Sequence, residues 1–363
     1  MTVGLYAPLP PARTGVADYA AALMAALRQI GSVEICPEHA DAPLYHLGNN
    51  ELHAAIYRRA LEHPGVVVLH DAVLHHFLLG QLDRAAYIEE FAYNYGEWNR
   101  GLAGELWQAR AGSSLDDRYF RFRMLKRAVE RARAVVVHNP AAARAVREHA
   151  PAAPVIEIPH LFEPPELPPA AQVARYREAL GVAPDTFLFG VFGYLRESKR
   201  LTSVLEAFAG LPGRAALLVA GSFISSDLER AVAPLLRRPG VLRLPHLSPA
   251  DFWLAASAVD TCINLRHPAA GETSGIVIRM MGIGKPVVVT ESEEYARFPE
   301  DALIRIAAGL EERGSLAGHM SLLTSVPEVA RAIGERGARH IREHHQIEQI
   351  AHLYWDTLCA HSG

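Results

Sequence analysis

Long apolar runs, clustered cysteines and an excess of basic charge are all missing from this chain of 363 residues. No stretch approaches the ~20 consecutive apolar residues that span a bilayer, so no membrane-crossing helix is predicted. The three cysteines, Cys36, Cys262 and Cys359, are far apart and odd in number. They form neither a zinc spacing nor a disulfide framework, which fits a reducing compartment. Lys plus Arg total 36 against 40 Asp plus Glu. A slightly acidic chain lacks the basic footprint of a nucleic-acid binder. There is no GxGxxG sequence, which argues against a Rossmann dinucleotide site. The opening residues, MTVGLYAPLPP, carry neither a basic region nor a long apolar one. The expectation is therefore no signal peptide and a cytoplasmic protein, at most peripheral at the inner membrane face.

Half the residues are hydrophobic and about a fifth are charged, the balance of a core-forming protein. At ~150 residues per domain the length suggests about two domains. Short runs rich in Val, Ile and Leu alternate with longer helical patterns, the signal for βαβ units and parallel sheets. Strand candidates in the first half are Val3–Ala7, Pro43–Leu47, Val66–His70, Ala134–His138 and Val155–Pro159. Those in the second are Thr186–Phe192, Ala216–Ala220, Val241–Leu244, Thr261–Leu265 and Pro286–Thr290, with a last strand region near 303–307. Between the halves, HLFEPPELPPAAQ (160–172) holds four prolines and should belong to neither sheet. The reading is α/β: two doubly wound domains, 1–165 and 166–345, facing across a cleft. A terminal helix, 346–363, crosses back to the first. Ligands of such sheets sit beyond the C-terminal strand ends.

Several segments occupy those ends. After Ala7 comes PLPPARTG (Pro8–Gly15) and an alanine-rich helix, with Thr14 and Gly15 at its cap. This geometry offers free N–H groups to an anion, although an ordinary βα turn explains it equally. His70 and Asp71 end another strand, and the turn Leu47–Asn50 lies beside it. The histidines of HDAVLHH (His70–His76) do not fall at metal-binding helical spacing, and no third ligand accompanies them. His340 and His344 do stand four apart, but among charged neighbours that predict a solvated helix face. From Arg118 to Arg133 seven basic residues interleave with Tyr119, Phe120, Phe122, Met124 and Leu125. A helix with its apolar side in the core is the favoured account; peripheral contact with a membrane is the other.

The second half carries the strongest chemistry. In GYLRESKR (Gly193–Arg200) Arg196, Lys199 and Arg200 crowd a strand mouth and suit a diphosphate. The run Thr261–Thr290 reads as strand, loop, helix, glycine stop and strand. Its helix is predicted to begin near Thr273 or Ser274, where Ser274 and Gly275 present N–H groups at the positive end. Glu272 precedes that start. Arg279 lies about one turn further in, facing the cleft or its opposite wall.

GETSG…GIGKPVVV, together with Gly193–Lys199, PLPPARTGVADY, VVVLHD and VVVHN, resembles glycosyltransferase family 4 over nearly the whole chain. That resemblance implies a retaining enzyme of the two-lobed GT-B type, transferring sugar from a nucleotide-diphosphate donor to a glycan, lipid-linked or other small acceptor. It implies catalytic roles for His70, Glu272 and Lys199. Donor binding would fall to Gly15, Arg196, Lys199, Glu272, Thr273, Ser274, Gly275 and Arg279. Two positions depart from the family pattern. The second of its paired glutamates, which binds ribose, falls on Arg279, which is offered instead to phosphate. Its arginine after the loop glycine is Tyr194, with Arg196 in a shifted place. No DxD sequence occurs, so protein cations are expected in place of a metal, and no cofactor is expected. The rivals are an epimerase or phosphorylase on the same fold, or a non-catalytic nucleotide-sugar binder.

Overall fold

A computed structural model describes residues 1–211 and 214–362. Two six-stranded sheets organise it. The first contains β1 (Thr2–Tyr6), β2 (Ser32–Ile35), β3 (Ala42–Leu47), β4 (Val66–Leu69), β5 (Ala134–Val137) and β6 (Val155–Glu157), in the order β2-β1-β3-β4-β5-β6. The second contains β7 (Phe187–Phe192), β8 (Ala215–Ala220), β9 (Val241–Leu244), β10 (Thr261–Asn264), β11 (Val287–Thr290) and β12 (Ile304–Ile306), in the order β12-β11-β10-β7-β8-β9. Every pairing is parallel. Helices cover both faces, so β4, β5, β7, β10 and β11 are buried at every residue, and all but β10 read as largely apolar runs. β2, SVEI, is an edge strand with only Val33 buried, and so gives no such run.

Each order reverses once, at β1/β3 and at β7/β10. Loops diverge at such a point and leave a crevice at the C-terminal strand ends. In the first sheet the loops after β1 and β3 flank it; in the second, those after β7 and β10 do. The chain crosses between sheets twice, side by side. The Phe162 N–H donates to the His345 carbonyl (2.7 Å), and the Phe162 ring lies against Gly282. The final helix, Ile347–His361, then packs on the first sheet. Ile347, Ile350, Ala351, Tyr354 and Leu358 share a core with Val3, Leu5 and Leu23. No helix among the described residues is long and apolar enough to cross a membrane.

The basic segment is not one helix. It forms two short ones, Arg118–Arg121 and Lys126–Arg131, broken where Met124 takes φ +58°. Tyr119, Met124, Leu125 and Val129 are buried in the first core, and Phe122 packs on it. Arg118 pairs with Asp116 and Arg127 with Glu90. Most of the side chains that a membrane contact would insert are therefore core, and Phe120 is partly buried against His76. His340 also differs from expectation: it is buried against Phe298 rather than solvated, and burial pulls its imidazole down to about 4.

Candidate functional site

The loop after β7 begins at Gly193, whose φ of +87° suits glycine. Lys199 folds back beneath it. A Cβ on Gly193 would lie 3.2 Å from the Lys199 Nζ, which donates to the Phe192 carbonyl. Lys199 is 6% exposed. Burial first, and then the charge of Arg266, pull its ammonium down to about 7, while Glu272 pulls it up. Arg196 stays exposed at the mouth, near enough to influence Lys199, Glu272 and Asp71. Arg200 does not join them. It adopts a left-handed backbone (φ +56°) and turns away to pair with buried Glu312 at 2.9 Å. Three cations that are neighbours in sequence thus become one buried, one at the mouth and one elsewhere.

The loop after β10 supplies the rest. Its helix runs Gly275–Gly282 with Ser274 as N-cap, but the Ser274 hydroxyl makes no capping bond. It donates instead to Asn264 Oδ1 at 3.2 Å. The first-turn N–H groups therefore keep the positive end of the helix without a side-chain cap, the arrangement that receives an anion. Glu272 bonds Arg266, a residue the sequence reading did not single out. Burial pushes Glu272 up, but Arg266, Arg196 and Lys199 outweigh it and hold the carboxyl below its usual range. Asp71 meets Glu272 from the first lobe. Burial, then the Glu272 charge, push Asp71 up to about 7, although it accepts from the Asn49 N–H at 2.8 Å. The two carboxyls thus hold one proton below about pH 7.

Arg279 faces the opposite wall of the cleft, where it pairs with Asp18 at 3.1 Å. Asp18 is exposed and Arg279 partly so, and the pair contributes at most about 1 kcal/mol. Thr273 also reaches the first lobe. Its hydroxyl donates to the His138 carbonyl (3.3 Å) and accepts from Asn139 Nδ2 (3.0 Å). Asn139 Nδ2 donates to the Gly271 carbonyl as well, at 3.0 Å, and the Ala72 N–H donates to the Ala270 carbonyl at 2.9 Å. Gly271 has φ +69°, and a Cβ there would stand 2.5 Å from that of Ala72, so only glycine permits this closeness. Asn139 also caps the helix Pro140–His149, its Oδ1 accepting from the Ala142 N–H. Asn139→Ala removes the cap and both inter-lobe bonds together. It is expected to destabilise folding by about 2 kcal/mol, read as a lower urea midpoint at unchanged slope.

On the first-lobe side, Gly15 opens the helix Gly15–Leu27, capped by Thr14, with empty space where its Cβ would be. The Tyr194 hydroxyl donates to the Arg13 carbonyl (2.7 Å) and brings this loop to the one after β7. His70 stands at the end of β4 in a group the sequence reading missed. His46 Nδ1 lies 2.8 Å from His70 Nε2, and the His138 ring is 5.3 Å from that of His70. Tyr19 packs edge-on against His70 and His160. His160 Nε2 would be 3.7 Å from a Cβ on Gly275, facing the helix start. The strand-end position that singled out His70 is shared by these: His46 is the penultimate residue of β3, His138 lies just after β5, His160 shortly after β6 and Arg266 shortly after β10. Among the described residues, no group of three or more His, Cys, Asp or Glu has metal-holding geometry.

No protein-family profile and no curated protein matches the sequence. Solved structures do match over the whole chain. Sucrose-phosphate synthase from Thermosynechococcus elongatus superposes with a TM-score of 0.72 at 17% identity, covering 99% of this chain and 100% of that one. HepE from Anabaena, in complex with UDP-glucose, gives 0.67 at 15% identity, covering 99% and 100%. WaaG, a glycosyltransferase involved in lipopolysaccharide biosynthesis, gives 0.64 at 17% identity, covering 99% of each. Identity this low carries fold and not activity. Two parallel six-stranded sheets, meeting along the loops at their C-terminal strand ends, are the GT-B fold, and this chain has it.

Proposed function

We propose that the chain is a retaining, metal-independent glycosyltransferase that takes its sugar from a nucleoside-diphosphate donor held between the lobes. The observation that carries this reading is the burial of Lys199 beneath Gly193, within charge range of Arg266, where a Cβ on Gly193 would also meet Ile276 in the first turn of the helix that follows Ser274. A cation kept out of water at a real energetic cost, at a topological switch point, needs an anion to repay it. A diphosphate meets that need, and HepE, of similar fold, was solved with UDP-glucose bound.

In this reading the second lobe holds the donor and the first lobe holds the acceptor, a glycan or lipid-linked sugar. As the glycosidic bond breaks, charge builds on the leaving phosphate. Lys199, Arg196 and the Gly275 helix start supply a fixed positive field for it. Glu272 and His70 hold the transferred sugar from opposite lobes. Front-face attack, with the leaving phosphate taking the acceptor proton, gives retention. The inter-lobe bonds of Asn139, Thr273 and Ala72 describe a closed cleft that excludes water and limits hydrolysis. Contact with a membrane is not needed for any of these steps.

The test is isotopic tracing of sugar from UDP-, GDP- and dTDP-sugars, with and without a lysate acceptor pool. Label moving to an acceptor supports transfer. Donor converted without acceptor indicates an epimerase, consumption of free phosphate indicates a phosphorylase, and binding without turnover indicates a non-catalytic binder.

A further inference from the structure

His46, the penultimate residue of β3, is fully buried, one strand away from His70. Their ring planes differ by 20°, with His46 Nδ1 and His70 Nε2 at hydrogen-bonding distance. His46 Nε2 is buried and has no partner. Burial, then His138 and His53, pull His46 down to about 3, and burial pulls His70 well below its ordinary value, so both rings are neutral at neutral pH. A neutral ring carries one N–H. Were the His46 proton on Nε2, a buried donor would be orphaned, the rarer and costlier defect; on Nδ1 it is used, and only a lone pair goes unmet. His46 therefore donates, and His70 Nε2 accepts. The His53 Nδ1–H donates in turn to the His46 carbonyl at 2.8 Å and fixes its backbone. His70 must then carry its own proton on Nδ1, which has no partner in the protein and is not sealed from solvent.

We infer that His46 is a positioning residue that sets the tautomer of His70, so that His70 presents an Nδ1–H donor to an oxygen of the bound nucleotide sugar. The donor half of this rests on the function proposed above; the tautomer half does not. In water, neutral imidazole prefers the Nε2–H form, so without His46 the donor would face the wrong way. Nitrogen-15 NMR of the ring nitrogens in the full-length, empty protein reads this directly. In the wild type, His70 Nε2 is expected to be unprotonated and Nδ1 protonated. His46→Phe keeps the ring volume and removes the donor; it should convert His70 to the Nε2–H form and lower sugar transfer about tenfold, with nucleoside-diphosphate binding retained. His46→Asn, whose amide N–H falls near the place of Nδ1, should restore both tautomer and rate. A protonated Nε2 on His70 in the wild type overturns the inference. So does a His46→Phe protein whose His70 tautomer and transfer rate are unchanged. If the wild type binds no nucleotide sugar, the functional reading fails instead, and the NMR result still decides the tautomer.

Discussion

Lys199→Met is expected to lower sugar transfer by about 10²–10³-fold and, at the same time, to raise the melting temperature of the protein without ligand. The loss of rate follows from removing one fixed cation from the leaving phosphate, an effect of about 3–4 kcal/mol in a closed site. The gain in stability follows from the same burial. Lys199 titrates near 7 in the folded chain against an ordinary 10.5. Between these values the unfolded chain binds more protons than the folded one, so the lysine's penalty is complete below pH 7 and fades as pH rises toward 10.5. Methionine of similar length removes that penalty but leaves the Phe192 carbonyl without its donor, an offset of about 1–3 kcal/mol. The net expectation is a rise of about 2–4 °C at pH 6 that disappears near pH 10. Binding of a nucleoside diphosphate to the wild type should take up a proton above pH 7, so affinity falls as pH rises. Scanning calorimetry and the tracer assay on one preparation check both parts. A Lys199→Met protein that transfers normally, or melts lower at pH 6, contradicts the assignment.

Glu272→Gln is the second large effect, with transfer expected to fall about 10²-fold while the fold survives. Glutamine keeps the shape and a hydrogen bond to Arg266 but loses the charge that meets it. An alanine would strand a mostly buried guanidinium at a cost of several kcal/mol and confuse folding with catalysis. Asp71 supplies the diagnostic. Its carboxyl is raised to about 7, in part by Glu272, against an ordinary 3.8. Between these values the folded chain binds more protons than the unfolded one, so this group makes stability fall as pH climbs from about 4 to 7. In Glu272→Gln the Asp71 carboxyl should return toward its ordinary value and that slope should flatten. Urea unfolding at a series of pH values measures it. A slope identical to the wild type would mean that the two carboxyls do not interact.

How much of this was legible beforehand depends on whether a feature is local. The buried strands announce themselves because helices on both faces make them apolar throughout. Thr14 at the cap of its helix is visible because capping is decided within four residues. The places of His70 and Lys199, just after β4 and in the loop after β7, were legible because the apolar strands mark their own ends. β2 escaped because an edge strand with one buried residue has no apolar run. The break at Met124 escaped because the basic and apolar residues around it keep helical spacing while the backbone does not. Arg200 was misplaced because one left-handed residue redirects a side chain, and nothing nearby in the sequence names Glu312 as its partner. Asp71 with Glu272, Asn139 with Gly271 and Arg279 with Asp18 are more than a hundred residues apart, and each pair exists only once the lobes meet. Arg279, at the position where the resemblance implied a ribose-binding glutamate, makes a contact between lobes.

The most direct measurement is a crystal structure of the protein grown with a nucleoside diphosphate. The account predicts its phosphates within hydrogen-bonding reach of the Gly275 backbone N–H and the Lys199 ammonium, with the Phe192 carbonyl surrendering that ammonium to the ligand. A nucleotide whose phosphates lie away from both groups, or a cleft that stays empty at saturating concentration, would contradict it.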